Sequence, residues 1–244
     1  MSLPSFAFLA LKEHPYACEM LRQLLSAGHV PAMMIEEDSG IADEERGKFL
    51  ERIEGHALAP SMAEQAREHG IAVHTLGVHK SEAILDVIGG RELDLIVLGG
   101  TRIIRGPVLS YAKHGVINTH PGLLPDCRGS ASPAWSVYHD IPVGSTTHFC
   151  DEGIDTGDLL LRREVAVTRG MTYEDLCYET LMLSGQLAKE ALCAFDEGRW
   201  AELRHPQGEA AWPTFKNAPE EILAAVRAKL AAQTYKHYVD SSTA

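Results

Sequence analysis

The sequence lacks several patterns that would place a chain of 244 residues in a broad class at once. Its five cysteines stand singly, with no C-x-x-C pair, which argues against a disulfide framework and a structural zinc site. No apolar stretch approaches the roughly 20 residues that cross a bilayer, and no basic lead-in to a leader peptide opens the chain. These absences predict a cytoplasmic protein with no membrane partner and no bound metal.

Positive charge is also scarce in this chain. It has 22 Lys and Arg residues against 34 Asp and Glu residues, a formal net charge of −12. Nucleic acids and anionic membranes are recognised through clustered cations, so this balance argues against either one as the main partner. An anionic small molecule remains compatible with it, because a pocket can be locally basic.

Glycine motifs of the common nucleotide-binding and hydrolase families are absent as well. Neither G-x-x-x-x-G-K-S/T nor G-x-G-x-x-G occurs, which disfavours a nucleotide kinase and a dehydrogenase. The G-x-S-x-G elbow of serine hydrolases does not occur either. Hydrophobic residues make up 45% of the chain, enough for one large domain or one domain with a short appendage.

Short apolar runs alternate with helical patterns through the first two-thirds of the chain. The runs predict strands at 5–10, 30–35, 71–75, 93–98 and 116–120. Helical spacing predicts helices at 14–28, around 44–53, at 61–69 and at 81–89. This alternation is typical of βαβ units, so we predict an α/β fold with a doubly wound, mostly parallel sheet.

The pattern changes after Gly144. Two further strands are predicted at 145–150 and 159–167. A long helix follows, with Thr172 and Asp175 as its opening cap, and a last helix is predicted over 219–232. We therefore expect a main domain over residues 1–200 and a short helical C-terminal extension, 201–244, packed on it.

Polar residues that suit catalysis stand where a buried strand is predicted to end. Asn118 and His120 are two residues apart, so they share one face of the strand, which Pro121 stops. Glycines in the loop 151–157 allow a tight turn that would bring Asp155 toward His120. An amide and an imidazole can stabilise an oxyanion, and a carboxylate can orient the imidazole and relay protons. An ordinary strand end and turn use the same residue types, so spacing alone leaves both interpretations open.

The sequence of this region resembles the formyltransferase family. The resemblance rests on Asn118-Thr-His-Pro-Gly-Leu-Leu-Pro125, Arg128-Gly129, Gly144-Ser-Thr-Thr-His-Phe149 and Gly153-Ile-Asp-Thr-Gly157. That family includes glycinamide ribonucleotide transformylases, methionyl-tRNA formyltransferases, sugar N-formyltransferases and formyltetrahydrofolate hydrolases. The clear match runs from about Leu93 to Val167.

The resemblance implies a Rossmann-like catalytic domain that takes a formyl group from 10-formyltetrahydrofolate. Asn118, His120 and Asp155 would be catalytic, with His120 as an imidazolium at the oxyanion and Asp155 accepting the amine proton. Main-chain groups of two loops would hold the pterin. In this chain the corresponding residues are Arg102, Ile103, Ile104, Cys150, Asp151, Glu152, Gly153 and Ile154. His148 would either orient the Asp155 loop or simply pack in its strand.

The acceptor is predicted only by elimination. The first strand-to-helix turn, 9–17, lacks the glycines that expose backbone N–H groups to a phosphate, unlike glycinamide ribonucleotide transformylases. The segment after the long helix is too short for the extra domain of methionyl-tRNA formyltransferases. We therefore expect a small-molecule amine, such as a nucleotide-linked amino sugar or an amine of a specialised pathway.

Several alternatives stay open at this point. The same three residues would serve a formyltetrahydrofolate hydrolase or a glycinamide ribonucleotide formyltransferase, and the fold would also serve a non-catalytic folate-binding module. The segment Trp212-Pro-Thr-Phe215 either resembles the region after the core of sugar N-formyltransferases or simply packs the extension on the domain. The sequence does not fix the oligomeric state, and a homodimer is one option.

Overall fold

The structure, a computed structural model, describes residues 3–239. Its strands are β1 Phe6–Leu11, β2 Met33–Glu37, β3 Val73–Leu76, β4 Leu95–Leu98, β5 Val116–His120, β6 Gly144–Phe149 and β7 Leu159–Glu164. Its helices are α1 Pro15–Ser26, α2 Gly40–Arg52, α3 Met62–His69, α4 Ser81–Ile88, α5 Ser132–His139, α6 Tyr173–Asp196, α7 Trp200–Leu203 and α8 Glu220–Ala231, with a 3-10 turn at Pro107–Ser110. Residues 1–2 of the predicted domain and 240–244 of the predicted extension lie outside the described residues.

One sheet with the strand order β3-β2-β1-β4-β5-β6-β7 forms the centre of the molecule. The strands from β1 to β5 are parallel, whereas β6 runs antiparallel to β5 and β7 antiparallel to β6. The predicted α/β fold with a mostly parallel sheet is thereby confirmed. The chain winds outward in both directions from the β1/β4 pair, and the crevice at the carboxyl ends of these strands is where such sheets bind ligands.

Alternate side chains of the central strands divide the core into two layers. Phe6 and Phe8 belong to an apolar cluster with residues of α1 and α6. Ala7 and Leu9, between and beside them, belong to a second cluster with residues of α4 and the 3-10 turn. Helical layers cover both faces of the sheet, so its central strands are apolar at nearly every position.

The longest helix, α6, has 24 residues and begins where the sequence predicts. Thr172 Oγ1 accepts a hydrogen bond from the Asp175 N–H at 3.1 Å, and Asp175 Oδ2 accepts one from the Thr172 N–H at 2.7 Å. This reciprocal cap satisfies backbone donors that have no partner within the helix. Neither α6 nor any other helix among residues 3–239 is long and apolar enough to cross a membrane.

Strand β2 is displaced from its predicted position. We expected residues 30–35, but the strand covers Met33–Glu37 and includes two buried glutamates. Glu36 Oε1 accepts a hydrogen bond from Thr75 Oγ1 at 2.8 Å, and Glu37 Oε2 accepts one from the His79 N–H at 2.9 Å. Specific partners therefore allow acidic residues in a buried strand, and such partners are not visible in local composition.

Three helices also differ from the prediction, and one of them, the short α7 at Trp200–Leu203, was not predicted. Helix α5 was not predicted, because its Ser-Pro start resembles a loop; Pro133 lies in the first turn, where a missing N–H breaks no helical bond. Helix α2 begins at Gly40 rather than near residue 44, because Ser39 Oγ caps it by accepting from the Ala42 N–H at 3.2 Å.

Removing the α6 cap tests how much its hydrogen bonds stabilise the protein. Thr172→Ala deletes one acceptor and is expected to lower the free energy of unfolding by about 1 kcal/mol. Urea unfolding followed by circular dichroism measures this change. Thr172→Ser keeps the hydroxyl and should stay within about 0.5 kcal/mol of the parent protein. Equal losses in the two variants would contradict the role of the hydroxyl.

Candidate active site

The end of β5 places an amide and an imidazole at the carboxyl edge of the sheet. Asn118 lies opposite Leu98 of β4 on one side and opposite His148 of β6 on the other. His120, two residues on, is buried on the same face of the strand. The predicted side-by-side placement of Asn118 and His120 is therefore observed.

The loop between β6 and β7 turns back toward this strand end. Asp151 Oδ1 closes its first half by accepting hydrogen bonds from the Gly153 N–H at 3.0 Å and from Thr156 Oγ1 at 2.5 Å. Asp155 follows with a positive φ of 53°, a backbone conformation that non-glycine residues adopt only when their surroundings enforce it. This conformation directs the Asp155 carboxylate back toward the sheet.

The Asp155 carboxylate lies between two imidazoles. Its Oδ2 atom is 3.5 Å from His120 Nδ1, and its Oδ1 atom is 3.5 Å from His148 Nε2. Oδ2 also accepts a hydrogen bond from the Gly129 N–H at 2.8 Å. Asn118 Nδ2 is 3.3 Å from His148 Nε2, so the amide joins the same group of contacts. The three predicted residues thus converge, and His148 lies between two of them.

Hydrogen bonds fix which nitrogen of His120 faces the carboxylate. Its Nε2 atom is 2.7 Å from the Cys127 carbonyl oxygen, which can only accept, so Nε2 carries a hydrogen. Ser132 Oγ lies 3.1 Å from the same nitrogen. The Nδ1 atom, 3.5 Å from Asp155, is therefore the nitrogen that gains or loses a proton.

Charge and burial act in opposite directions on this pair. Burial would raise the pKa of Asp155, but His120, the contact with His148 and the Gly129 N–H outweigh it and hold the pKa well below its usual range. Burial lowers the pKa of His120, while the Asp155 carboxylate raises it. The carboxylate is ionised at neutral pH, and the buried imidazole holds a proton on Nδ1 less readily than an exposed histidine.

The four side chains open onto a cavity of about 850 Å³ at the carboxyl edge of the sheet. Both loops that the sequence relates to the pterin contribute to its wall. The predicted residues in that wall are Arg102, Ile103, Ile104, Cys150, Asp151, Gly153 and Ile154. Glu152, predicted with them, is exposed and lies outside the wall.

The side chains of the loop after β4 differ in how firmly they are held. Ile104 is buried in the second apolar cluster, whereas the Ile103 side chain is 58% exposed at the cavity. Arg102 Nη1 lies 3.5 Å from Glu37 Oε1, at the end of β2. Ile103 thus offers an apolar surface to a ligand, while Arg102 is drawn toward Glu37.

A second part of the cavity lies beneath α2. Its wall includes Phe49 and Arg52 from α2, His14 from the turn after β1, and Tyr173 from the start of α6. The Tyr173 hydroxyl is buried and has no hydrogen-bond partner among the described residues. This group could not be identified from the sequence, because its members are far apart in the chain and match no motif.

Metal binding has no support from side-chain clustering in the described part of the chain. No group of three or more His, Cys, Asp or Glu side chains in residues 3–239 is arranged to hold a metal ion. The side chains that meet at the end of β5 are one amide, two imidazoles and one carboxylate.

Comparisons with known proteins match the fold and the region of the chain that contains this site. A family model described as "Formyl transferase" matches residues 77–192, a range that includes Asn118, His120, His148 and Asp155. A methionyl-tRNA formyltransferase of Ruminiclostridium cellulolyticum is 33% identical over 198 residues, which are 80% of this chain and 60% of that protein. The chain thus spans about three fifths of the length of the first curated relatives it matches.

Solved structures share the architecture at lower sequence identity. The glycinamide ribonucleotide transformylase of Symbiobacterium toebii superposes with a TM-score of 0.61 at 24% identity, over 80% of this chain and 89% of that one. A formyltransferase of Anoxybacillus kamchatkensis, in complex with a UDP-linked formamido sugar and tetrahydrofolate, gives 0.53 at 20% identity, over 89% and 87%. The family model and the curated relatives thus relate residues 77–192 of this chain to the formyl transferase family, and the solved structures share its fold.

Proposed function

We propose that this protein transfers a formyl group from 10-formyltetrahydrofolate to the primary amine of a small molecule. The observation that carries the proposal is the placement of Asp155 within 3.5 Å of both His120 and His148 at one cavity that Asn118 also lines. Acyl transfer requires hydrogen-bond donors for an oxyanion and a route for one proton. This cavity offers both.

Oxyanion stabilisation is the role that we assign to Asn118 and His120. Attack of the amine on the formyl carbon forms a tetrahedral intermediate with a negatively charged oxygen. The Asn118 amide donates to that oxygen, and a protonated His120 adds a positive charge beside it. A preorganised donor of this kind contributes about 10² to 10³ in rate.

Proton transfer is the role that we assign to Asp155 acting with His120 Nδ1. The attacking nitrogen loses one proton as its bond to the formyl carbon forms, and N10 of the folate gains one as its bond to that carbon breaks. Nδ1 exchanges a proton while Nε2 stays bonded to the Cys127 carbonyl. The ionised Asp155 stabilises the charged form of the imidazole.

The donor occupies, in this proposal, the part of the cavity between the loop after β4 and the loop after β6. Ile103 and Ile154 contribute apolar surface there, and neighbouring main-chain groups are available to hydrogen-bond a pterin. Recognition through the main chain does not depend on which side chains the loops carry. We assign no ligand contact to the side chain of Glu152, which is exposed and outside the cavity wall. We also propose that the protein works in the cytoplasm. The five cysteines are all free, as is usual in a reducing compartment.

The acceptor occupies the part beneath α2, and we propose that it carries an anionic group. Arg52 lines that part and forms no salt bridge with any carboxylate among residues 3–239. Burial, followed by the positive charge of Arg52, lowers the pKa of His14 to about 4, so His14 is neutral there. The unpaired Tyr173 hydroxyl supplies a further donor. A nucleotide-linked amino sugar offers the matching phosphate groups and an amine.

A panel of acceptors with 10-formyltetrahydrofolate tests the proposed function. We expect formamide formation with a nucleotide-linked amino sugar or another small anionic amine. Separate arms contain an amino acid, an aminoacylated tRNA and no amine, with product analysis by mass spectrometry. Formate release at the same rate in every arm would indicate a hydrolase instead, and preference for the tRNA would contradict the small-molecule assignment.

Removal of any of the three catalytic groups should abolish most turnover. Asn118→Ala, His120→Ala and Asp155→Asn are each expected to lower kcat by at least ~10² while the thermal unfolding midpoint changes little. Steady-state kinetics measures kcat, and differential scanning calorimetry measures the midpoint. Asp86→Asn, at an exposed carboxylate on α4, is the control and should match the parent protein. Near-normal kcat in all three variants would refute the assignment.

Coupling between Asp155 and His120 predicts a titration shift in the free protein. The carboxylate raises the pKa of a histidine that burial lowers, so Asp155→Asn should move the His120 pKa further down. NMR of ring-labelled histidine measures it, with His120→Gln identifying the resonance. An unchanged or higher pKa would contradict an electrostatic role for Asp155.

Arg52 should act on anionic acceptors alone. Arg52→Ala is expected to raise KM for such an amine about tenfold, equivalent to losing one charge-assisted hydrogen bond, and to leave KM for the folate unchanged. Arg46→Ala is the matched control, because Arg46 lies on the same helix but pairs with Asp43 at 2.8 Å. Equal increases in the acceptor KM for the two variants would mean that Arg52 acts only through the overall positive charge of α2 and not through contact with the acceptor.

A further inference from the structure

A segment outside the family match runs beside the catalytic loop. Residues 204–216, which we call the strap, follow α7 and begin after the region 77–192 that the family model covers. One end is tied to β7: the Leu159 N–H donates to the His205 carbonyl at 2.8 Å, and the His205 N–H donates to the Leu159 carbonyl at 3.1 Å. The strap therefore starts at the exit of the Asp155 loop.

The other end of the strap is tied to the turn after β5. The Phe215 N–H donates to the Arg128 carbonyl at 2.9 Å, and the Ser130 N–H donates to the Phe215 carbonyl at 3.0 Å. The Phe215 ring stacks on Trp135 of α5 at 4.9 Å between centroids. Gly129 has a φ of 95°, and a Cβ at this position would collide with the Phe215 backbone, so the close approach requires glycine.

Gln207 lies between these two ties and contacts both the loop that carries Asp155 and the turn after β5. Its Nε2 donates to the Asp155 carbonyl at 2.9 Å and to the Gly157 carbonyl at 2.6 Å. Its Oε1 accepts from Arg128 Nε at 3.3 Å and from Arg128 Nη2 at 2.8 Å. Both donors of the amide and its acceptor oxygen are thus in use.

These bonds reach the catalytic carboxylate through the backbone. Gln207 holds the carbonyl of Asp155, a residue with positive φ, while Arg128 holds the turn whose Gly129 N–H donates to Asp155 Oδ2 at 2.8 Å. A small displacement of either loop would lengthen the 3.5 Å separation between the carboxylate and His120 Nδ1. A shift of about 1 Å in a catalytic group can reduce a rate ~10²-fold.

We propose that Gln207 is a positioning residue for Asp155 and that the strap acts on the active site through this one side chain. The inference rests on the proposed function for its kinetic consequence, but the positioning itself concerns the free protein. Gln207 touches neither substrate in this account. It acts by keeping the Asp155 carboxylate within reach of His120 and His148.

Kinetics of two strap variants test the proposal. Gln207→Ala removes all four hydrogen bonds, and we expect kcat to fall about 10- to 100-fold while KM for the folate changes less than about threefold. Gln207→Glu keeps the acceptor for Arg128 but places an oxygen against the Asp155 and Gly157 carbonyls, so it should not restore kcat. Glu209→Ala, at an exposed position of the strap, is the matched control and should retain the parental kcat.

Titration of His120 separates positioning from a merely structural tie, and it needs no turnover. The titratable side chains that act on the His120 pKa are Asp155 and His148. Cys127 contacts His120 Nε2 through its carbonyl, and burial raises the pKa of its thiol to about 11. Loss of carboxylate contact in Gln207→Ala should therefore lower the His120 pKa, as read by NMR, with Glu209→Ala unchanged. A parental His120 pKa in Gln207→Ala overturns the proposal, whatever happens to kcat or stability. Failure of formyl transfer by the parent protein would refute the proposed function without affecting this test.

Discussion

The contact of one partly buried carboxylate with two imidazoles determines what this site can do. Asp155 stays ionised because His120, His148 and the Gly129 N–H offset the unfavourable effect of burial. The Asp155 carboxylate in turn raises the pKa of the buried His120, which favours protonation of Nδ1. Every chemical step that we propose passes through this pair, so the conformation of the loop carrying Asp155 is the main structural requirement of the molecule.

The fold meets that requirement with rigid elements on one side and loops on the other. The register between β5 and β6 sets Asn118 opposite His148. The carboxylate comes from a loop, and its positive φ has to be enforced by neighbouring groups. We infer that the strap supplies this enforcement, which gives the C-terminal extension a role in catalysis in addition to packing. The division into a domain over residues 1–200 and an extension over 201–244 packed on it stays a prediction.

Much of this arrangement was predictable from the sequence. Alternating apolar runs predict the parallel sheet, and the N-x-H-P and I-D-x-G segments predict the residues that converge. Local patterns did not reveal the acidic end of β2, whose glutamates depend on Thr75 and His79. They also did not reveal Gln207 or Arg52, because each acts on residues that are distant in the chain.

Trp212 and Phe215 are both in aromatic contacts around α5, and Phe215 also lines the cavity.

The central claim is that an amine, rather than water, receives the formyl group at the Asp155–His120 pair. The most direct measurement follows a ¹³C-formyl label from 10-formyltetrahydrofolate by NMR in the presence of a small anionic amine. Our account predicts that the label appears in a formamide with tetrahydrofolate as co-product, and that this signal is lost in Asp155→Asn. A label found only in formate, with or without the amine, would contradict it.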